Sequence, residues 1–348
     1  MGVADAGAPS DGGTALAGCD GIVPAALGTS VTAQLPSSDG DLCTEATADE
    51  SGNVAAALRR ASGVGNLFDW HIFSPAGEHQ GVAPEILGDV FPQGTGFEAI
   101  KFLDLGPASS PFFVRIAPDG SLSKQQLVGS DDTGQVSFRA WPDGLLVLTL
   151  HCISSPGSTT IRRFADDGTL IATGTTNNPG PAGCDVAGAA NGPGGVTLIV
   201  FHSDPGQPDD ALQARWFDAA GTAMTDFFTV GVSAGNLVLR ALVDGNVAIQ
   251  ASGHWLGLVA PGATTLTPAP TWLADGHDLS IVRGERAYAL IPEAGALNHL
   301  DLVTAQGQLC GSVTFPGVGP LRTGADGTVI GASGDGGCTK TFWPGLLE

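Results

Sequence analysis

Two interleaved sets of glycine-centred turns run along this 348-residue chain, each occurring seven times, and their spacing restricts the architectures open to it. The first set falls at Ser51-Gly52-Asn53, Gly94-Thr95-Gly96, Asp143-Gly144, Gly194-Gly195, Asp244-Gly245-Asn246, Gly284 and Asp326-Gly327. The second falls at Gly77, Gly120, Gly168, Gly221, Gly262, Gly307 and Gly345, between 38 and 53 residues apart. It closes related runs such as Ile116-Ala117-Pro118-Asp119-Gly120 and Phe217-Asp218-Ala219-Ala220-Gly221. Self-similarity at this period marks a supersecondary unit that buries its apolar surface only against copies of itself.

The stretch from Asn236 to Leu266 shows what one unit contains. A β-rich run ending at Val243 meets the Asp244-Gly245 turn, Asn246–Ala251 and Trp255–Val259 follow, and a fourth stretch lies beyond Gly262. Asp-Gly suits a tight hairpin because glycine accepts positive φ without steric penalty. After Gly144 and Gly195 the runs Leu145–Leu150 and Val196–Phe201 are apolar on both faces, as strands sandwiched between sheets are. Four strands per unit of 40–50 residues resembles the blade of a β-propeller. The resemblance covers nearly the whole chain and implies an all-β, seven-bladed propeller with four-stranded blades. The regular WD dipeptide, the paired glycines of kelch repeats and the sialidase box are all missing, so it implies no functional family. The last unit stops at Glu348, just after Gly345, whereas Val31-Thr32-Ala33-Gln34-Leu35 precedes the first unit. Residues 29–35 are therefore expected to be the outer strand of blade seven, closing the ring from the N-terminal end.

Residues 1–18 read as a Gly-, Ala- and Asp-rich flexible tether and 19–348 as a single propeller domain. The tether is similar to those following the lipidated cysteine of bacterial lipoproteins, which implies a lipid anchor upstream of this sequence. No apolar run approaches the length of a membrane span, and no basic-then-apolar leader is seen. The formal charge of −21, from 35 acidic and 14 basic residues, repels phosphate backbones and argues against nucleic-acid binding.

Six cysteines, without C-x-x-C or zinc-ligand spacing, favour disulfides and an extracytoplasmic location, whether secreted, periplasmic or lipid-anchored at a bacterial surface. The repeat frame puts Cys152 and Cys184 on the same side of neighbouring blades, and Cys43 and Cys338 in nearly the same two places of blades one and seven. It therefore pairs Cys152–Cys184 and Cys43–Cys338, leaving Cys19–Cys310. A sequential pairing, Cys19–Cys43 with Cys310–Cys338, remains open at this point.

Neither G-x-S-x-G, H-E-x-x-H nor G-x-x-x-x-G-K-[ST] occurs, so no nucleophile, metalloprotease or phosphate-loop signature is present. The acidic turns at Asp131-Asp132 and Asp204–Asp210 lack the alternating spacing that wraps Ca²⁺, so calcium is only a weak expectation and no cofactor is assigned. Histidines give the one pattern of interest. His151, His202 and His254 each fall seven to nine residues after a first-set glycine, at the ends of consecutive second strands. His277 and Asp278 lie in a connection opening on the same face, and Trp255 stands beside His254. Equivalent positions in packed sheets are about 10 Å apart, too far for one metal to bridge. A ligand or partner face is the remaining functional reading, with ordinary loop polarity as its rival; His79 and His299 have no comparable company. The expected role is a non-catalytic binding or scaffold module whose partner is another protein or a cell-envelope component. The alternatives are a lactonase-like propeller hydrolase or lyase with its site at the ring mouth, and a lectin.

Overall fold

The computed structural model describes residues 18–348 apart from Thr44, 62–66, 104–109, 127–134, 142–143, 152–156, 166–168, 180–184, Gly192, 204–210, 233–236, 293–297 and 334–336. The described chain is a seven-bladed β-propeller of short antiparallel strands. Blade three runs Gln135–Trp141, Gly144–His151, Ser158–Phe164 and Leu170–Asn177 from the axis outward. Blade four runs Asp185–Asn191, Thr197–His202, Ala211–Phe217 and Phe228–Val232; blade six runs His277–Val282, Ala287–Pro292, His299–Thr304 and Leu309–Thr314.

Blade seven takes three strands from the end of the sequence, Leu321–Thr323, Val329–Ser333 and Thr339–Trp343, and its outer strand, Val31–Gln34, from the start. Val31 is opposite Phe342, and Gln34 is opposite Thr339.

Two blades depart from the four-strand expectation. Blade five has three strands, Leu237–Ala241, Val247–Ala251 and His254–Val259, and a single bridge from Leu258 to Thr267 replaces the fourth. Blades one and two form one seven-stranded sheet, because a 14-residue strand, His79–Pro92, serves both. Its first part pairs with Leu67–Phe73 of blade one, beside Ala46–Ala48 and Val54–Leu58. Its last residues pair with Phe97–Leu103 of blade two, followed by Ser110–Ile116 and Leu122–Gln126. Glu85 is left-handed (φ 54°) where the pairing with blade one shifts register, and the strand passes to blade two at Leu87, which pairs with both.

Both glycine sets have a physical reason. The first turns each inner strand into the second, and aspartates in several of these turns accept backbone N–H groups two residues on, as Asp244 does from Asn246 and Asp326 from Thr328. Among the described residues, Gly77, Gly120, Gly221 and Gly307 of the second set turn a third strand into the outer one, and Gly120 and Gly221 pack against the preceding blade. A Cβ on Gly174 of blade three would fall 1.9 Å from the carbonyl oxygen of Gly221 in the blade-four hairpin. A Cβ on Gly81 of blade one would fall equally close to the oxygen of Asp119, beside Gly120 of blade two. In blade one the same hairpin glycine, Gly77, abuts Val31. The N-terminal strand thus stands to blade one as the outer strands of blades one and three stand to blades two and four.

The core lies between blades rather than within one sandwich. Second strands are buried on both faces: Val54–Leu58, Val247–Ala251 and Ala287–Pro292 are buried throughout. Apolar clusters join blade one to two, three to four, four to five, five to six, six to seven, and seven to one. Two disulfides reinforce this arrangement. Cys43–Cys338 ties the approach to blade one to blade seven, and Cys19–Cys310 ties the N-terminal segment to the outer strand of blade six, with Cα separations of 4.9 and 5.4 Å. Both Cα separations are usual for a disulfide, and the sequential pairing is thereby excluded. The Cys152–Cys184 pair lies outside the described residues. No described helix is long and apolar enough to cross a membrane.

Candidate functional site

Antiparallel meanders put the start of an inner strand, the end of the second and the start of the third on one rim. Asp185, for example, opens the inner strand of blade four opposite His202, which closes the second. His151 ends the second strand of blade three on this same rim, though its side chain lies outside the described residues.

His254 differs from expectation: the second strand of blade five stops at Ala251, and His254 opens the third. The cause is a tight turn at Ser252-Gly253, both left-handed (φ 50° and 81°). Such paired positive φ values fit a two-residue hairpin, but Ser is a poor signal for one. His254 stays on the predicted rim. Trp255 does not belong to the exposed face: it is 8% exposed, packs in the core between blades five and six, and donates its indole N–H to Ala274 O.

The organiser of this corner is Asp275, a residue the sequence reading passed over. Its Oδ2 is 2.9 Å from His254 Nδ1, and its Oδ1 accepts the backbone N–H of Trp255. These bonds, chiefly the one with His254, hold its carboxyl below the ordinary aspartate range. His277 Nδ1 lies 3.0 Å from the Asp275 carbonyl oxygen, so both histidines are arranged around one residue. The clue to it was the Asp275-Gly276 dipeptide ahead of His277.

Asp278 points to different work. It is the second residue of the inner strand of blade six, which begins at His277, and receives Arg240, from the inner strand of blade five, in a bidentate ion pair with 2.8 and 2.9 Å contacts. Such paired, planar contacts are the strong form of the guanidinium–carboxylate interaction. Asp278 also accepts the N–H of Leu279. On the axial side, Arg322 of the blade-seven inner strand lies 3.8 Å from Glu45, which precedes the blade-one inner strand.

Glu45, Arg240, Gln250, Ser252, Asp278 and Arg322 line a cavity of about 620 Å³ at the mouth of the ring, with Val238, Ile291 and Pro292 as its apolar wall. Behind Glu45, the buried Lys340 donates to the carbonyl of Cys43. Burial lowers its pKa to about 8, against the opposing pull of Glu45. A second cavity, of about 560 Å³, lies on the opposite rim among Glu50, Arg283, Glu285, Asp326 and Glu348.

Among the described residues no three His, Cys, Asp or Glu side chains are grouped to hold a metal ion. The acidic turns at Asp131-Asp132 and Asp204–Asp210 lie outside them. His79, expected to be isolated, instead meets His71: Nδ1 of His71 is 3.0 Å from Nε2 of His79.

No protein-family model matches the sequence, and no characterised protein matches it by sequence. By structure the chain is similar to the WD40 β-propeller domain of Doa1, with a TM-score of 0.51 and 15% identity over 89% of this chain and 94% of that one. It is also similar to the hydrazine synthase of Kuenenia stuttgartiensis, with a TM-score of 0.51 and 11% identity over 89% and 97%. At such identities the likeness is one of fold. Fold and site together define a β-propeller with a charged, ion-paired axial mouth.

Proposed function

We propose that this protein is a non-catalytic binding or scaffold module that engages another protein or a cell-envelope component through the rim of blades five to seven. The observation carrying this reading is the axial cavity, with its bidentate Arg240–Asp278 pair and with Arg322 set near Glu45. It is concave and polar, and the bidentate Arg240–Asp278 pair bridges blades five and six in its wall, which preorganises a surface for a partner. Of the cavity's carboxylates, Asp278 is committed to Arg240 and the Leu279 N–H, and on the same rim Asp275 is committed to His254 and the Trp255 N–H. Two long-range cystines suit an oxidising compartment, so we place the protein outside the cytoplasm.

A photocrosslinking residue at position 254, where the native side chain is 72% exposed, is expected to capture a partner from the cell envelope. The same residue at position 224, on an outer hairpin of blade four, is expected to capture none. Equal capture at both positions would remove the rim from consideration.

The hydrolase or lyase reading draws on one feature, the His254–Asp275 contact, which orients an imidazole as a general base requires. Turnover of lactones, glycosides or esters is expected to be nil. Reproducible turnover lost in Asp275→Asn would replace the binding reading with the enzymatic one.

A further inference from the structure

Resting on the binding reading above, we infer that the axial cavity receives the carboxyl-terminal end of a polypeptide, its carboxylate on Arg322 and a nearby backbone N–H on Gln250.

Gln250 supplies the first half of this inference. Its side chain is 1% exposed and lines the cavity, having turned from the second strand of blade five toward blade six. Its amide nitrogen donates to His277 O at 3.0 Å, whereas its side-chain oxygen accepts no hydrogen bond from a described residue. That oxygen belongs to the cavity lining, where it offers an acceptor to a donor entering the cavity.

Arg322 supplies the second half. Its Nη1 donates to Leu321 O at 3.0 Å, and its closest carboxylate, on Glu45, is 3.8 Å away, beyond a good hydrogen bond. The rest of its planar fork is unspent among the described residues, and a carboxylate is the group that fills such a fork with two bonds. Arg240 in the same wall shows the contrast, since Asp278 already occupies it.

The remaining lining narrows the class of occupant. Two carboxylates, of Glu45 and Asp278, balance the two arginines, so a ligand of concentrated negative charge would meet repulsion as well as attraction. No aromatic ring lines the cavity among the described residues, which removes the usual platform for a sugar. A chain terminus brings one carboxylate, backbone N–H donors close to it and a side chain for the Val238, Ile291 and Pro292 wall. The volume falls within the range of pockets that enclose small ligands.

The test uses N-acetyl-tetra-alanine with a free carboxylate and its C-terminally amidated counterpart, titrated against the full chain by calorimetry. The acid is expected to bind at least tenfold more tightly than the amide. Arg322→Gln, at a side chain 42% exposed and so tolerant of change, is expected to erase that difference without altering the unfolding midpoint. Gln250→Met is expected to weaken the acid at least fivefold. Equal binding of acid and amide, no binding of either at millimolar concentration, or an Arg322→Gln variant that still discriminates would each overturn the inference. Position-254 crosslinking reports separately on the rim: capture there with no carboxylate preference leaves the module reading standing and removes only the terminus.

Discussion

Nδ1 of His71 faces Nε2 of His79 at 3.0 Å, and the other ring nitrogen of His71 is buried with no partner among the described residues. The pair sits at the third and outer strands of blade one. Burial, reinforced by the neighbouring His79, lowers the pKa of His71 from 6.5 to about 4.

The folded state therefore binds fewer protons at His71 than the unfolded state between about pH 4 and 6.5. Its contribution to stability is present above pH 6.5 and is lost as the pH falls through that window. The loss is at most about 3 kcal/mol. Urea midpoints at pH 7 and 4.5 should differ more for the native chain than for His71→Leu. An identical pH response in the two would refute the assignment.

Lys340 predicts the opposite end of the pH scale. Its folded pKa, about 8, lies below the ordinary lysine value of 10.5, so the unfolded chain holds the extra proton between those limits. Stability should rise with pH across that window, by about 3 kcal/mol at most. Lys340→Met should flatten the rise. The comparison is best made on the difference between variants, since other groups titrate there as well.

Cys43–Cys338 spans 295 residues of sequence. Replacing both cysteines with alanine should cost about 3–5 kcal/mol, chiefly by freeing the unfolded chain. Guanidinium midpoints of the double variant, with Cys19–Cys310 intact, measure this. A shift smaller than 1 kcal/mol would mean that the blade-seven to blade-one packing holds without its covalent tie.

Gly174→Ala should be among the most damaging single-methyl additions in the molecule. The new carbon would meet the backbone oxygen of Gly221 at 1.9 Å, where no side chain can rotate away. A loss of about 3 kcal/mol or more is expected. The fair control is Gly188→Ala, whose nearest obstacle is the flexible end of the Leu239 side chain. A milder loss at Gly174 than at Gly188 would count against the interblade contact.

The ring was legible in the sequence because its punctuation is local: Asp-Gly turns and hairpin glycines carry their conformational demand within a few residues. The Val31–Phe342 pairing and both described cystines followed from that frame. Other features depend on register, which spacing does not reveal. Arg240 and Asp278 stand 38 residues apart and meet only because two inner strands lie side by side at one height. Ser252 hid the blade-five hairpin because it adopts a glycine-like conformation without being glycine. Trp255 was drawn to the rim by its neighbour His254, although alternation along a strand sends adjacent side chains to opposite faces. The shared strand His79–Pro92 was missed because Pro84 and Gly88, residues that usually punctuate a sequence, fall inside it rather than at its end.

The strand Val31–Gln34 finds its partner more than three hundred residues later, Thr32 lying opposite Thr341. During synthesis at about 5–20 residues per second, that edge waits roughly 15–60 s for its mate to be made. Until the final strand emerges, a translating ribosome displays a β-edge whose hydrogen-bonding groups invite neighbouring nascent chains. Pairing of this strand is thus a late event, and the cell that makes the chain must shield that edge until its mate arrives.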